Sequence, residues 1–223
     1  MDFRQFKLAS PKKNLKLHLD LTSRMDVEPI FEFVGAVEDG TKRRLKDLAR
    51  DKKKDARGIA PGSVAYEILG SYFEDQVDLA EATSDLSHKF AVVALYSRVE
   101  IHTKRMCEIA IEAVNRSDLF RWKSLKKVLL RNSIDLTKVA CYSEVNQLRC
   151  LNNAIKHGET VSEELEEAGW GREGDSIDAK RCSQELRIYS EACDAYLADL
   201  RSKLGVLIDG LTDEGAKKLL KVK

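Results

Sequence analysis

Four polar side chains lie three or four residues apart in one segment, a spacing that puts them on one face of an α-helix. These residues are Asn146, Arg149, Asn153 and His157. An imidazole that titrates near neutral pH, a nearby cation and a polar group that orients them meet the needs of acid–base chemistry at a charged substrate. The alternative is a solvated helix face that ends in a His, which the negative end of the helix dipole favours.

The segment 147–158 resembles the hallmark helix of the HEPN superfamily, in which an Arg, often followed by Asn, precedes a His by four to six residues. The segment 94–107 resembles the long second core helix of that family, and Glu100 matches its acidic residue. The resemblance covers roughly residues 63–207. Asn153 matches the Asn of the Arg-Asn pair, but Asn152 stands at the usual Arg position.

Arg149 is the nearest Arg upstream of His157, about 12 Å along a helix axis and about 80° round from it. The resemblance implies metal-independent RNA cleavage at a site composed across a dimer interface, where the RNA 2′-OH attacks the adjacent phosphorus. His157 is then expected to transfer the proton. Arg149 provides the cation that binds the phosphate, and Asn153 orients these groups by hydrogen bonding. Glu100 is expected to pair with the Arg or the His.

The same resemblance implies partners. They are a second copy of the chain, an RNA substrate and a cognate antitoxin or regulatory protein of a prokaryotic defence or toxin–antitoxin system; neither a cofactor nor a metal is implied. In a two-fold dimer, we expect Arg149 of one chain near His157 of the other. The alternative is a non-catalytic HEPN-like bundle that binds RNA, a nucleotide or a partner protein, which Asn152 favours.

A basic run over residues 42–57 holds nine Lys or Arg and three Asp, a net charge of +6. We interpret its side chains, together with one Lys next to His157, as candidates for RNA binding. These candidates are Lys42, Arg43, Arg44, Lys52, Lys53, Lys54 and Lys156. The alternative is a solvated helix or linker, since no aromatic residues are interleaved for base stacking. An acidic run over 159–178, with a net charge of −7, is expected to be an exposed loop or short helix.

The whole chain has 223 residues, 38 Lys or Arg against 37 Asp or Glu, and 43% hydrophobic residues. The hydrophobic content excludes a disordered chain. The net charge near zero, to which the basic and acidic runs contribute opposite signs, excludes a protein that is basic all over. Five cysteines without C-x-x-C spacing predict reduced thiols. The histidines lack tight zinc-ligand spacing, and no Gly-rich phosphate loop is present. With neither a leader-like segment nor about 20 consecutive apolar residues, the sequence predicts a cytoplasmic protein without membrane contact.

Few Pro and Gly residues and many good helix formers predict an all-α, HEPN-like bundle of about five to seven helices. The clearest helix has an apolar stripe at steps of three and four, formed by Cys182, Leu186, Tyr189, Cys193, Tyr196, Leu200, Leu204 and Leu207. We expect helices from Asp26 with a break or kink at Gly40, over 63–115 with a division near Ser84, over 120–131, and over 135–157.

Alternating leucines at positions 15, 17, 19 and 21 have the period of a strand, and we expect an extended arm or a frayed helix there. The predicted organisation is an N-terminal arm and basic helix over 1–60, a HEPN-like bundle over 61–210 and a basic tail over 211–223.

Overall fold

The computed structural model describes residues 10–112 and 114–221, which form α-helices joined by short loops. In chain order the helices are α1 Pro11–Ser23, α2 Glu28–Asp55, α3 Val64–Ala110, α4 Arg116–Leu119, α5 Trp122–Arg131, α6 Tyr142–His157, α7 Glu163–Glu167, α8 Ala179–Gly210 and α9 Asp213–Lys221. A 3-10 turn, Leu136–Lys138, precedes α6. The all-α prediction is confirmed, and the long helices form the predicted helical bundle.

The core lies between α3 and α8, with α1 and α6 packed on them. The predicted apolar stripe of α8 is buried from Cys182 to Leu204, and Leu207 at its end is partly buried. It meets α3 side chains such as Val99 and Met106, which have no solvent-exposed surface. Each such side chain stabilises the fold by about 1.5–3 kcal/mol relative to an exposed position, so the α3–α8 contact is a major source of the bundle's stability.

The leucines near the N-terminus belong to a helix, so the extended arm is wrong and the helical alternative holds. Leu15 and Leu19, one turn apart, are buried, whereas Leu21 is 58% exposed. The hydroxyl of Ser10 accepts a hydrogen bond from the Lys13 N–H (3.4 Å), and Pro11 occupies the first turn, where its missing N–H costs nothing. The alternating leucines that suggested a strand therefore also include two residues, Leu15 and Leu19, that lie on one face of a helix.

Residues expected to form a basic C-terminal tail lie in α9, which packs against α1. Ala216 and Leu219 are buried there. The first nine residues of the predicted N-terminal arm and the last two of the predicted tail lie outside the described residues.

Helices α2 and α3 run antiparallel and extend beyond the core as a hairpin, by which we mean residues 41–86. The predicted break at Gly40 and division at Ser84 are wrong, because α2 continues to Asp55 and α3 is unbroken for 47 residues. Within the hairpin only Leu48 and Phe73 are buried, and neither belongs to the main core.

The predicted loop between these two helices is present. Gly58 and Gly62 adopt φ angles of +86° and +78°, a left-handed conformation that glycine tolerates without steric cost. The Ser63 hydroxyl then caps α3 by accepting a hydrogen bond from the Tyr66 N–H (3.3 Å). In the described part of the chain, we find no helix with the length and apolar content that a membrane span requires.

Candidate functional site

A cleft of about 470 Å³ lies along the C-terminal half of α6. Arg149, Asn153 and His157 line one of its walls. The other wall consists of residues from the segment that follows α6, namely Gly158, Thr160, Val161, Ser162, Glu164, Glu173 and Gly174. Three of the four predicted catalytic residues therefore face a common space within one chain, and its volume is typical of a small-ligand site.

The opposite, apolar face of α6 determines which residues line the cleft. Val145, Leu148 and Leu151 have no solvent-exposed surface, so they hold this face against the core. The Tyr189 hydroxyl of α8 donates a hydrogen bond to Oε1 of Gln147 (2.6 Å), which also fixes the rotation of α6 about its axis. The polar face of α6 therefore lines the cleft.

The loop before α6 is attached to α8 by Asp199, whose carboxylate accepts a hydrogen bond from the Ala140 N–H (2.9 Å). Hydrogen bonds from Lys203 are the main reason that the pKa of Asp199 lies below its usual value, and partial burial opposes them. The predicted helix start at Asp135 is wrong, because a 3-10 turn intervenes and α6 begins at Tyr142.

Arg149 is held in place by three neighbours. Its Nε donates to Oδ1 of Asn146 (3.1 Å) and its Nη2 to Sγ of Cys150 (3.1 Å). Its Cζ lies 6.0 Å from the ring centroid of Trp122, at the outer limit of a cation–π contact. These contacts leave Nη1 to donate to a ligand and fix the guanidinium at one end of the cleft.

His157 is the last residue of α6 and is exposed. The helix ends there because the N–H groups of Gly158 and Glu159 both donate to the Ala154 carbonyl (3.1 and 2.8 Å). Glu159, with a φ of +56°, takes the left-handed conformation, and its carboxylate pairs with Lys89 of α3 (2.5 Å). The turn after His157 is thereby attached to the core.

Asn152, at the usual Arg position of the HEPN motif, is buried with 2% exposure. Its Nδ2 donates to Oδ1 of Asn153 (3.1 Å), and its own Oδ1 has no hydrogen-bond partner among the described residues. Asn152 therefore orients Asn153 from behind and does not line the cleft.

Glu100 is not among the residues that line the cleft. Its carboxylate accepts a hydrogen bond from Lys104 on the next turn of α3 (2.8 Å). Buried Tyr96 lies near both Glu100 and Arg149: burial raises the pKa of its phenol, Glu100 raises it further and Arg149 lowers it. The expected pairing of Glu100 with Arg149 or His157 is absent from the hydrogen bonds and ion pairs of the described residues.

The acidic segment, predicted as an exposed loop or a short helix, contains the short helix α7 and forms the second wall of the cleft. Four apolar side chains of the acidic segment are buried, which are Val161, Leu165, Trp170 and Ile177. Backbone hydrogen bonds close it on itself, from the Val161 N–H to the Asp175 carbonyl (2.8 Å) and from the Gly174 N–H to the Val161 carbonyl (3.0 Å). Arg181 lies over the Trp170 ring at 4.2 Å.

This wall brings Glu164 and Glu173 to the cleft, and our sequence reasoning missed both. The available signal was the apolar residues within the acidic run, which need a core to pack against. The cleft thus contains one Arg, one His and two carboxylates, which provide a cation and several groups able to transfer protons. Cys150 is an unsuitable nucleophile, because burial raises the pKa of its thiol and Arg149 only partly opposes this.

The basic candidates from residue 42 to residue 54 lie on α2 in the hairpin, away from the α6 cleft. Arg44 donates to Gln76 of α3 (3.1 Å), and Lys42 pairs with Asp39 (3.8 Å). Arg43 donates to the Asp39 carbonyl (3.2 Å). Lys156 is exposed in the last turn of α6.

Lys52 and Lys53 line a second cavity, of about 530 Å³, together with Glu67 and Glu74 of α3. Lys54 is exposed beside them. Part of the basic run therefore lies next to carboxylates of α3, which reduce its positive potential.

Among the residues that the structure describes, no group of three or more His, Cys, Asp or Glu side chains is arranged as metal ligands. No family model matches the sequence, and we found no similar curated protein or solved structure.

Proposed function

We propose that the α6 cleft is the site of metal-independent RNA cleavage, the activity implied by the HEPN resemblance. One observation carries the proposal: Arg149, Asn153 and His157 line the same cleft within a single chain. Arg149 lies about 12 Å along α6 from His157, and its guanidinium points back towards Asn146. We therefore expect the Arg149 that acts on the phosphate beside His157 to come from a second copy, as the resemblance implies.

Cleavage requires two proton transfers. The RNA 2′-oxygen loses its proton and bonds to the adjacent phosphorus, while the bond from phosphorus to the 5′-oxygen breaks and that oxygen gains a proton. The products are a 2′,3′-cyclic phosphate and a 5′-hydroxyl. His157 performs one transfer, and a carboxylate of the facing wall, Glu164 or Glu173, performs the other.

Arg149 stabilises the charge that develops on the non-bridging phosphoryl oxygens through its remaining N–H groups. Asn153, held by Asn152, donates an amide hydrogen bond to the same phosphate. The fixed position of the guanidinium against Asn146 and Cys150 supports this role, because less side-chain freedom is lost on binding.

The test is cleavage of end-labelled single-stranded RNA by the purified protein in EDTA, with analysis of the product ends. We expect 2′,3′-cyclic phosphate ends from the wild type and from His18→Ala, an exposed His on α1. His157→Ala and Arg149→Ala should cut at least about 100-fold more slowly. Equal rates for wild type and both cleft variants would refute the proposal.

A second candidate is a non-catalytic bundle that binds RNA or a nucleotide. Glu164 and Glu173 favour it, because two carboxylates facing Arg149 repel a polyanionic substrate. It predicts no product in either EDTA or Mg²⁺, with binding of RNA or nucleotide retained in calorimetry and lost in Arg149→Ala.

A further inference from the structure

Helix α5 has an exposed basic face that lies outside the α6 cleft. Lys123, Lys127 and Arg131 are four residues apart, so they follow one side of the helix over about 12 Å. All three are exposed, and none forms an ion pair with another described residue. The surrounding segment, residues 116–138, has seven Lys or Arg and two Asp, a net charge of +5. The face is therefore a concentration of unneutralised positive charge.

The apolar side of α5 fixes the direction of this basic face. Leu125, Val128 and Leu129 are buried in the main core. At 100° per residue, these three side chains lie on the side of the helix opposite to the three cations. Because rotation of α5 would expose the buried residues, the cations are held towards solvent.

The basic run of the hairpin, residues 42–57, is less available to a polyanion. Arg50 pairs with Asp47 (3.0 Å) and Lys42 with Asp39 (3.8 Å). Two of its lysines line the second cavity together with glutamates of α3. Carboxylates this close reduce the potential that attracts phosphates. The run has the higher net charge, but the α5 face is better suited to bind a phosphate backbone.

Two stacked aromatic rings connect the α5 face to the Arg149 end of the cleft. Trp122 begins α5 and Tyr142 begins α6, and their ring centroids are 6.3 Å apart with 13° between the planes. The Arg149 Cζ lies 6.0 Å from the Trp122 centroid. The Lys126 ammonium lies 5.3 Å from the Tyr142 centroid and donates to its hydroxyl (3.0 Å). Lys126 is thus within about 18 Å of Arg149, a distance that a strand of a few nucleotides spans.

An exposed aromatic ring lies at the N-terminal end of α5. Phe120 is 69% exposed, and the Lys104 ammonium lies 5.3 Å from its ring centroid. A groove or face of cations for phosphates, with an aromatic ring on which a base can stack, is the combination that binds single-stranded nucleic acid. Bases in a duplex are already stacked on each other, so the ring favours a single strand.

We propose that the basic face of α5 binds single-stranded RNA that extends from the Arg149 end of the α6 cleft. The Arg149 guanidinium points back towards the start of α6 and lies next to Trp122, which sets the direction of the strand. Its phosphates contact the three cations of the α5 face, and Phe120 stacks on a base. The choice of RNA as the polyanion rests on the proposed function, whereas the binding surface does not depend on cleavage.

The first test measures the Kd of a labelled 2′-O-methyl RNA of about 12 nucleotides by fluorescence anisotropy, over a range of salt concentrations. This probe lacks the free 2′-OH, so cleavage plays no part. Glutamines at positions 123, 127 and 131 should raise the Kd at least about tenfold at about 0.1 M salt. They should also reduce the slope of log Kd against log salt by about 2, since each phosphate contact of a single strand contributes about 0.7.

The matched control replaces Lys217, Lys218 and Lys221 of α9, which are exposed, with glutamine. It removes the same charge and should bind like the wild type, and both triple variants should keep the circular dichroism spectrum of the wild type. A wild type that does not bind the probe, or an α5 variant with the Kd and slope of the α9 control, would overturn the proposal.

The second test separates stacking from charge. Phe120→Ala should raise the Kd about 5- to 100-fold with an unchanged salt slope, and Phe33→Ala, an exposed Phe on α2, should have no effect. Equal binding of a duplex, together with an unaffected Phe120→Ala, would contradict the assignment to single strands. Cleavage of unmodified RNA is measured separately. Binding at α5 without cleavage would refute the proposed function alone, and cleavage without binding at α5 would refute this surface alone.

Discussion

Replacing His157 by alanine tests the chemistry of the cleft with little change to the fold. The side chain is exposed, and it has no hydrogen bond or ion pair to the other described residues. What the variant loses is the interaction of the imidazole with the C-terminal end of α6, about 0.3–1 kcal/mol. In a chain of this size, that loss lowers Tm by about 1–4 °C.

The expected effect on RNA cleavage is much larger. A positioned acid or base contributes about 10²–10⁴-fold to the rate, so the variant should lose at least 99% of its activity while remaining folded at the assay temperature. The assay measures initial rates on labelled RNA in EDTA, with thermal unfolding of the same samples and His18→Ala as the matched control. A rate within about threefold of the wild type, in a folded variant, would refute the role of His157.

Three further predictions concern charge and packing. Asp199→Asn should lower the free energy of unfolding by about 1 kcal/mol at pH 7. Because the pKa of Asp199 is lowered in the folded state, its contribution is present above the unfolded pKa, so the difference between the two proteins should shrink as pH falls below about 4 in urea titrations. If the hairpin binds RNA, glutamines at positions 52–54 should reduce the slope of log Kd against log salt by about 2, and an unchanged slope would exclude these lysines. The matched control changes three exposed lysines of α9, which are Lys217, Lys218 and Lys221. Leu151→Ala should cost about 2–5 kcal/mol, and the exposed control Leu130→Ala less than about 0.5 kcal/mol; equal midpoints in urea would show that the α6 core face is assigned wrongly.

The helices with long, regular apolar stripes were predictable. The α8 stripe repeats at helical period over 26 residues, from Cys182 to Leu207, and no other element satisfies that period. Short patterns were ambiguous. The leucines at positions 15, 17, 19 and 21 fit the period of a strand, but Leu15 and Leu19 are also one helical turn apart and are the two that α1 buries. Gly40 did not interrupt α2, because one glycine costs only about 1 kcal/mol in a helix that packs along its length.

The candidate site was predictable on one wall only. Arg149, Asn153 and His157 share a face of one helix, so local periodicity suffices to group them. Glu164 and Glu173 reach the cleft through a fold-back of the acidic segment, which depends on nonlocal packing of Trp170 and Ile177. The ion pair between Glu100 and Lys104 likewise depends on the rotamers of the two side chains, which residue spacing alone does not determine.

The continuous α3 has a consequence for how this protein can diverge. The α6 cleft is formed by α6 and the acidic segment, and no residue of the hairpin lines it. A seven-residue insertion adds nearly two complete helical turns, about 10.5 Å, and so preserves the direction of every side chain that follows it. Relatives whose hairpin arms both gain or lose whole heptads would therefore keep the bundle and the cleft unchanged, so the length of the hairpin can vary independently of the site.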